Sequence, residues 1–347
     1  MPRPSADNPN ATASSRMPDD REEKLTMSGT DVHPNPALRP SLPVAVYRLE
    51  FTARDSVRLP AYAGSAWRGA FGRALKKLVC VTREPLCPPC LLYRSCVYPY
   101  LFETPPDPAA GKLRKYPAAP HPYVVRPGPG GAHEAGTTVS VEVVLLGHGN
   151  RQLPYLLHAF DRAGQQGIGQ GDGRLALSRV AQQTPAGDWQ PIYRPGESLQ
   201  PLPSSVPELP PCPARLTLVL ETPLRIRQDE KLVGPEAFRF GALFANLLRR
   251  ISLLTTFHAD MPLGADFAGL SRAGWTIRHR AARLRWHEWV RYSSRQDALL
   301  QMGGLIGEIE LDGADLEPFW PYLWLGQWTH AGKGAVMGLG RYRFTMD

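Results

Sequence analysis

The sequence predicts an α+β protein built from two ferredoxin-like domains in tandem. Three observations carry this: the chain repeats itself, each half reads as β-α-β-β-α-β, and a glycine-rich loop precedes the last strand of each half. Pro154, Tyr155 and Leu156 return as Pro321, Tyr322 and Leu323. At the same offset of 167 residues, Gly167 falls on Gly334, Gly171 on Gly338, Gly173 on Gly340 and Arg174 on Arg341. Seven identities at one offset, three of them loop glycines, mark a duplicated supersecondary plan. A looser match sets Ala66, Trp67 and Arg68 against Ala237, Phe238 and Arg239, and Lys76–Lys77 against Arg249–Arg250.

The elements follow from periodicity. Val44–Phe51 alternates as a strand. Ser65–Leu78 places Trp67, Ala70, Phe71, Ala74, Leu75 and Leu78 at helical spacing, with Ser65 as the expected N-cap. Thr137–Leu146 is β-rich, Leu153–Ala163 helical and Arg174–Val180 a strand. In the second half the spacing predicts a strand at Arg215–Glu221, a long helix at Pro235–Leu254 and two strands within Trp275–Trp289. A strand at Leu305–Leu311, a helix at Leu316–Thr329 and a closing strand at Arg341–Thr345 complete it. Domain boundaries follow composition. Residues 1–40, rich in Pro, Ser, Asp and Asn without an apolar run, read as a disordered tail with no export signal. The first domain spans 41–183, the proline-rich segment 184–213 reads as a linker, and the second domain spans 214–347. Residues 104–131 read as a long Pro/Gly-rich loop inside the first domain.

The formal charge of +8 over 347 residues suits a polyanionic partner. Arg278, Arg280, Arg283 and Arg285 form an array that either tracks phosphates or is a solvated face. No run reaches the ~20 apolar residues of a membrane span, so no membrane partner is expected. The C-terminal loop carries Gly332, Lys333, Gly334, Gly338, Gly340 and Arg341. It is neither a P-loop nor the dinucleotide fingerprint, because no Ser or Thr follows Gly334 and no helix follows Gly340. Glycine amides beside a cation can hold a phosphate; a tight connection without ligand is the plain alternative. Cys80, Cys87, Cys90 and Cys96 form a compact insertion (80–98) whose four thiolates suit tetrahedral zinc or an iron–sulfur cluster. A structural zinc is the expectation, with four protein ligands leaving no catalytic position.

Residues Arg291–Gln296, Met302–Leu305 and the C-terminal glycine loop, set in the repeated plan, resemble the pre-crRNA-processing endoribonucleases of CRISPR systems, members of the RAMP superfamily. The resemblance covers about residues 44–346, and the cysteine group before Tyr98–Glu103 looks like a subgroup of that family. It implies a cytoplasmic antiviral-defence protein with two RAMP-type domains that bind CRISPR repeat RNA, with other CRISPR effector subunits as further partners. It also implies cleavage once per repeat without a catalytic metal. The ribose 2′-OH attacks the adjacent phosphorus and leaves a 2′,3′-cyclic phosphate. That chemistry needs a base, an acid and cations for the phosphorane charge. The family commonly places a histidine on or near the first helix, but Ala61–Leu78 contains none. Tyr62, Lys76 and His258 are therefore the catalytic candidates. Arg68, Arg73, Lys77, Arg291, Tyr292, Arg295, His330, Lys333, Gly334, Gly338, Gly340 and Arg341 are the RNA-binding candidates. The alternative implied by the missing histidine is a non-catalytic crRNA-binding subunit of an effector complex.

Overall fold

The computed structural model describes residues 39–105, 119–293 and 298–346. Nearly all of the expected tail, part of the expected 104–131 loop, and Arg295 lie outside them.

The first half opens with β1 (Val44–Ala53), β2 (Val57–Leu59), α1 (Gly64–Val79), α2 (Val97–Phe102), β3 (Tyr123–Pro127) and β4 (Gly131–His133). It closes with β5 (Thr138–Leu146), α3 (Leu153–Gln166), β6 (Leu175–Gln183) and β7 (Trp189–Tyr193). The sheet order β3-β5-β1-β6 is the ferredoxin-like arrangement, with β7 added at the edge. Helix α1 forms because Trp67, Ala70, Phe71, Ala74 and Leu75 fall on one buried stripe. Its N-cap is Ala63, which offers no side-chain bond, so the expected cap at Ser65 is corrected. Lys76 and Lys77 sit in its last turn, where the helix dipole favours cations.

The second half runs β8 (Arg215–Leu224), β9 (Arg227–Gln228), β10 (Lys231–Leu232), α4 (Phe240–Ala259), α5 (Phe267–Thr276) and β11 (Ala281–His287). It continues with β12 (Val290–Ser293), β13 (Ala298–Gln301), β14 (Gly304–Asp312), α6 (Trp320–Thr329) and β15 (Tyr342–Met346). Its sheet order β11-β14-β8-β15 repeats that of the first half. The protein is thus α+β with tandem ferredoxin-like halves.

Sheet one is buried on both faces. Tyr47, Leu49 and Phe51 of β1 pack with α1 and α3, while Val44 and Val46 join a core that includes Leu247, Ile251 and Leu254 of α4. This is why Val44–Phe51 carries apolar residues on both sides of the pleat. The face of sheet two turned away from that core is charged and self-neutralised. Arg283 pairs with Glu310 at 2.6 Å and Glu308 at 3.3 Å, and Arg280 with Asp312 at 2.8 Å. The arginine array is therefore a solvated face at these two positions.

Three other expectations change. The segment 184–213 is not simply a linker, because β7 pairs with β6 and Ser205 bridges to Val44. Proline hides the strand in the sequence, yet Pro191 is tolerated because β7 is an edge strand. Strand β3 likewise lies inside the stretch read as loop. Trp275 lies in α5, whose N-cap Asp266 accepts from the Gly269 amide at 2.9 Å, so Trp275–Trp289 holds one strand of sheet two rather than two.

Candidate nucleic-acid interface

The C-terminal glycine loop docks on the first half, and its glycines are what allow the approach. A Cβ on Gly338 (φ +90°) would lie 2.6 Å from the Val125 carbonyl oxygen, and one on Gly64, at the start of α1, 2.0 Å from that of Met337. Gly340 (φ +65°) is similarly closed in by Ala331. Most loop amides already have protein acceptors. Gly332 donates to Asn246 Oδ1, Lys333 to Arg225 O, Gly340 to Pro223 O and Arg341 to Thr222 Oγ1. Thr222 in turn donates to Gly338 O at 2.8 Å. Gly338 and Gly340 are buried, which corrects their assignment as RNA contacts: they serve packing. Arg341 is held by Glu221 at 2.7 Å. Lys333 stays exposed, and burial together with Arg227 and Arg225 lowers its pKa. It is the loop's cation open to a polyanion, beside half-buried Gly334.

His330 is fully buried. Its Nδ1–H donates to Leu339 O at 3.2 Å, and its Nε2 accepts from Arg126 Nε at 3.0 Å. Arg126 also donates to Gln327 O at 2.6 Å, so β3 of the first half is fastened to the end of α6. Burial, then Arg126, holds His330 well below the usual imidazole range. It is a neutral brace with no access to RNA, contrary to expectation.

The catalytic candidates are also placed away from base chemistry. His258 donates from Nε2 to Pro120 O at 2.8 Å and accepts at Nδ1 from Tyr100 Oη at 3.2 Å. It is 2% exposed, and burial pushes it down to about 4. It braces the two halves, and with both ring nitrogens engaged it cannot take a proton from a ribose; α4 ends at Asp260 in the left-handed region. The Tyr62 ring packs on Trp289 with centroids 4.9 Å apart. Its hydroxyl is closed from solvent, and burial raises its pKa, which corrects its role as base. Lys76 donates to Pro85 O at 2.9 Å and lies 5.7 Å from the Tyr98 ring, tethering the cysteine segment.

What the structure brings to α1 is a histidine that spacing along the helix cannot reveal. His121, just before β3, meets Arg68 Nη2 at 3.2 Å and Thr104 Oγ1 at 3.4 Å. Burial first, then Arg68 and Arg250, pushes it down to about 3. Arg68 also lies 5.0 Å over the Phe102 ring. Arg73 and Lys77 are exposed on α1, and Arg73 lines a polar pocket of about 210 Å³ with Gln166, Gly167 and Asp172. Arg291 and Tyr292 stand on β12, opposite Leu300 and Leu299 of β13. That hairpin leaves from Trp289, against Tyr62 of the first half.

With this geometry in hand, the family model of CRISPR-associated endoribonuclease Cas6 matches residues 218–342. That stretch of the second half is similar to Cas6 endoribonucleases. A second model, described as an N-terminal domain, matches residues 42–205. Among solved structures, a Cas6 (TTHB231) product complex is similar at 17% identity with a TM-score of 0.55, over 87% of this chain and 99% of that one. A partial Cas6-RT-Cas1–Cas2 complex is similar at 12% identity and TM-score 0.54, over 90% of this chain and 47% of that one. Both likenesses concern the fold. A search of curated proteins gives no significant match. Among the described residues no helix is long and apolar enough to cross a membrane.

The chain carries its four cysteines around one small cavity, lined also by Thr82, Tyr93 and Tyr98. Among the described residues no group of three or more His, Cys, Asp or Glu side chains is disposed to hold a metal. Cys90 Sγ lies 3.3 Å from Thr82 Oγ1. Burial, then Glu103, raises Cys87 to about 11. The expected structural zinc is without support here.

Proposed function

We propose that this protein is a Cas6-type endoribonuclease that binds CRISPR repeat RNA and cuts it without a metal. The 2′-OH attacks the neighbouring phosphorus, leaving a 2′,3′-cyclic phosphate and a 5′-OH. The observation that carries the reading is the docking of the C-terminal glycine loop onto the start of α1, the helix that carries Arg73 and Lys77 on its exposed side. RNA meets the exposed cations Arg73 and Lys77 of α1 and Lys333 of the loop, with Arg291 and Tyr292 on the neighbouring hairpin. With Tyr62 and His258 sealed, the residues supply chiefly positive charge. Such cations stabilise the phosphorane's developing charge, an electrostatic contribution worth a few kcal/mol per well-placed donor.

The solved relatives include a product complex and an assembly with Cas1 and Cas2, which support RNA and other CRISPR proteins as partners. The test is incubation of the purified protein with its repeat RNA in EDTA, followed by mass analysis of the fragments. A 5′ fragment ending in cyclic phosphate is expected. A product ending in 3′-OH, or loss of cleavage on chelation, refutes the mechanism. Tight binding with no cut refutes the catalytic reading and leaves a crRNA-binding subunit.

A further inference from the structure

The two glycine loops share one plan and differ in what surrounds them. In each, the residue five positions past the first glycine folds back over it. A Cβ on Gly334 would lie 2.7 Å from Leu339 Cδ1, and one on Gly167 would strike the Asp172 carbonyl oxygen. In the second half these positions are packed, with Leu339 and His330 fully buried. At the matching offset the first half has Asp172 and Ala163, a carboxylate in place of leucine and a methyl in place of an imidazole. There the polar pocket of about 210 Å³ opens between α1 and α3. Ala70, Ala163 and Gly167 are its buried members, and Arg73, Gln166 and Asp172 its exposed ones. Ala70 and Arg73 stand three residues apart on α1, as do Ala163 and Gln166 on α3, so each helix turns one small and one polar residue to the pocket.

The fold does not use these polar groups itself. Among the described residues, none of the Arg73, Gln166 and Asp172 side chains forms a hydrogen bond or an ion pair within the protein. Arg73 only donates, Asp172 only accepts and the Gln166 amide does both, around a floor of two methyl groups and a glycine. The volume admits one planar ring and falls short of the ~300 Å³ at which pockets for drug-sized ligands begin. Single-stranded RNA is read through unstacked bases hydrogen-bonded on their Watson–Crick edges. Guanine alone of the common bases sets two donors side by side, N1–H and the N2 amino group, which one carboxylate accepts together. Its O6 lies next to them, an acceptor for a guanidinium or an amide. Adenine and cytosine place a ring-nitrogen acceptor beside the amino group, and uracil flanks its single N3–H with two carbonyls. Each of these sets an acceptor against the carboxylate.

We propose that the pocket of Arg73, Gln166 and Asp172 takes one unpaired guanine of the bound RNA, with Asp172 accepting from N1–H and N2 and the cationic side donating to O6. The loop of the first half thus reads a base, where its duplicate in the second half packs against protein. The proposal rests on the RNA-binding reading above.

The test uses the full-length protein and fluorescein-labelled oligouridylates that carry one central guanosine, inosine, adenosine or cytidine, with binding read by anisotropy. The parent should hold the guanosine strand about tenfold tighter than the adenosine and cytidine strands, the discrimination of one bidentate base contact. Inosine, which keeps N1–H and O6 but lacks the N2 amino group, should fall between. Asp172 lies at φ +50°, a left-handed conformation that asparagine also adopts. Asp172→Asn should therefore leave the melting temperature of the free protein unchanged and bind all the strands alike. Asp172→Gly, at ease in the same conformation, serves if Asp172→Asn fails to fold. Arg73→Gln should weaken the guanosine strand several-fold beyond its effect on the others. If the parent binds every strand equally, or if the Asp172 variants keep its preference, the guanine site is wrong. If the variants weaken all strands by one factor, the residues act through general charge, and the site is again wrong. If no strand binds at all, the RNA-binding reading falls, and this inference with it.

Discussion

His330 offers the sharpest check on how the two halves are held. It occupies φ +58° and ψ 167°, a region open essentially to glycine, and its ring makes two buried hydrogen bonds. Replacing it with alanine removes the bond to Leu339 O, worth about 1 kcal/mol. It also strands Arg126 Nε, a buried charged donor, at about 1.5–3 kcal/mol. The backbone strain stays, because alanine has a Cβ too. His330→Ala should therefore cost about 3–4 kcal/mol. His330→Gly loses the same bonds but relieves the strain, about 1–3 kcal/mol, against a glycine entropy cost of about 0.5–1 kcal/mol. The smaller side chain should thus give the more stable variant, by about 1 kcal/mol. Urea denaturation at neutral pH measures both. If His330→Ala lies within about 0.5 kcal/mol of the parent, the brace is wrong. If His330→Gly is the less stable of the two, the strain argument is wrong.

The same burial makes the protein acid-sensitive. His121, His258 and His330 all have folded-state values depressed below 6.5, so the unfolded chain binds more protons and stability falls as pH drops below about 6.5. For His258, at about 4, the loss reaches roughly 2 kcal/mol at pH 5. Melting curves from pH 7.5 to 5 check this, and a flat profile would contradict the neutral braces. The repeat supplies a matched glycine pair. Gly338→Ala drives a Cβ into the Val125 carbonyl and should cost about 2–3 kcal/mol and loosen the loop, whereas Gly171→Ala, with open space around it, carries only strain of about 1 kcal/mol. Equal losses by chemical denaturation would show that docking on the first half is not what the second glycine serves.

Much of the secondary structure was legible because it is local. The stripe of Trp67, Phe71, Ala74 and Leu75 fixes a helix wherever it packs, and alternation at Thr138–Leu146 makes a strand from its own side chains. Strand β7 was not legible, since prolines suppress a strand signal that edge pairing with β6 restores. The candidate site was less legible than the fold. Fifty-three residues separate Arg68 from His121, and no spacing rule joins them; the ferredoxin-like topology does. Trp289 likewise reaches Tyr62 only after the second half has docked on the first.

The amino-acid order alone determined the duplicated plan, the positive balance and the glycine loops, because each is a matter of composition and periodicity along one chain. Tertiary structure decided what those residues can do. It buried His258 and His330 as neutral braces, enclosed the Tyr62 hydroxyl and set His121 against Arg68. Access, proton affinity and charge compensation depend on which surfaces meet, and in this protein the deciding surfaces belong to opposite halves.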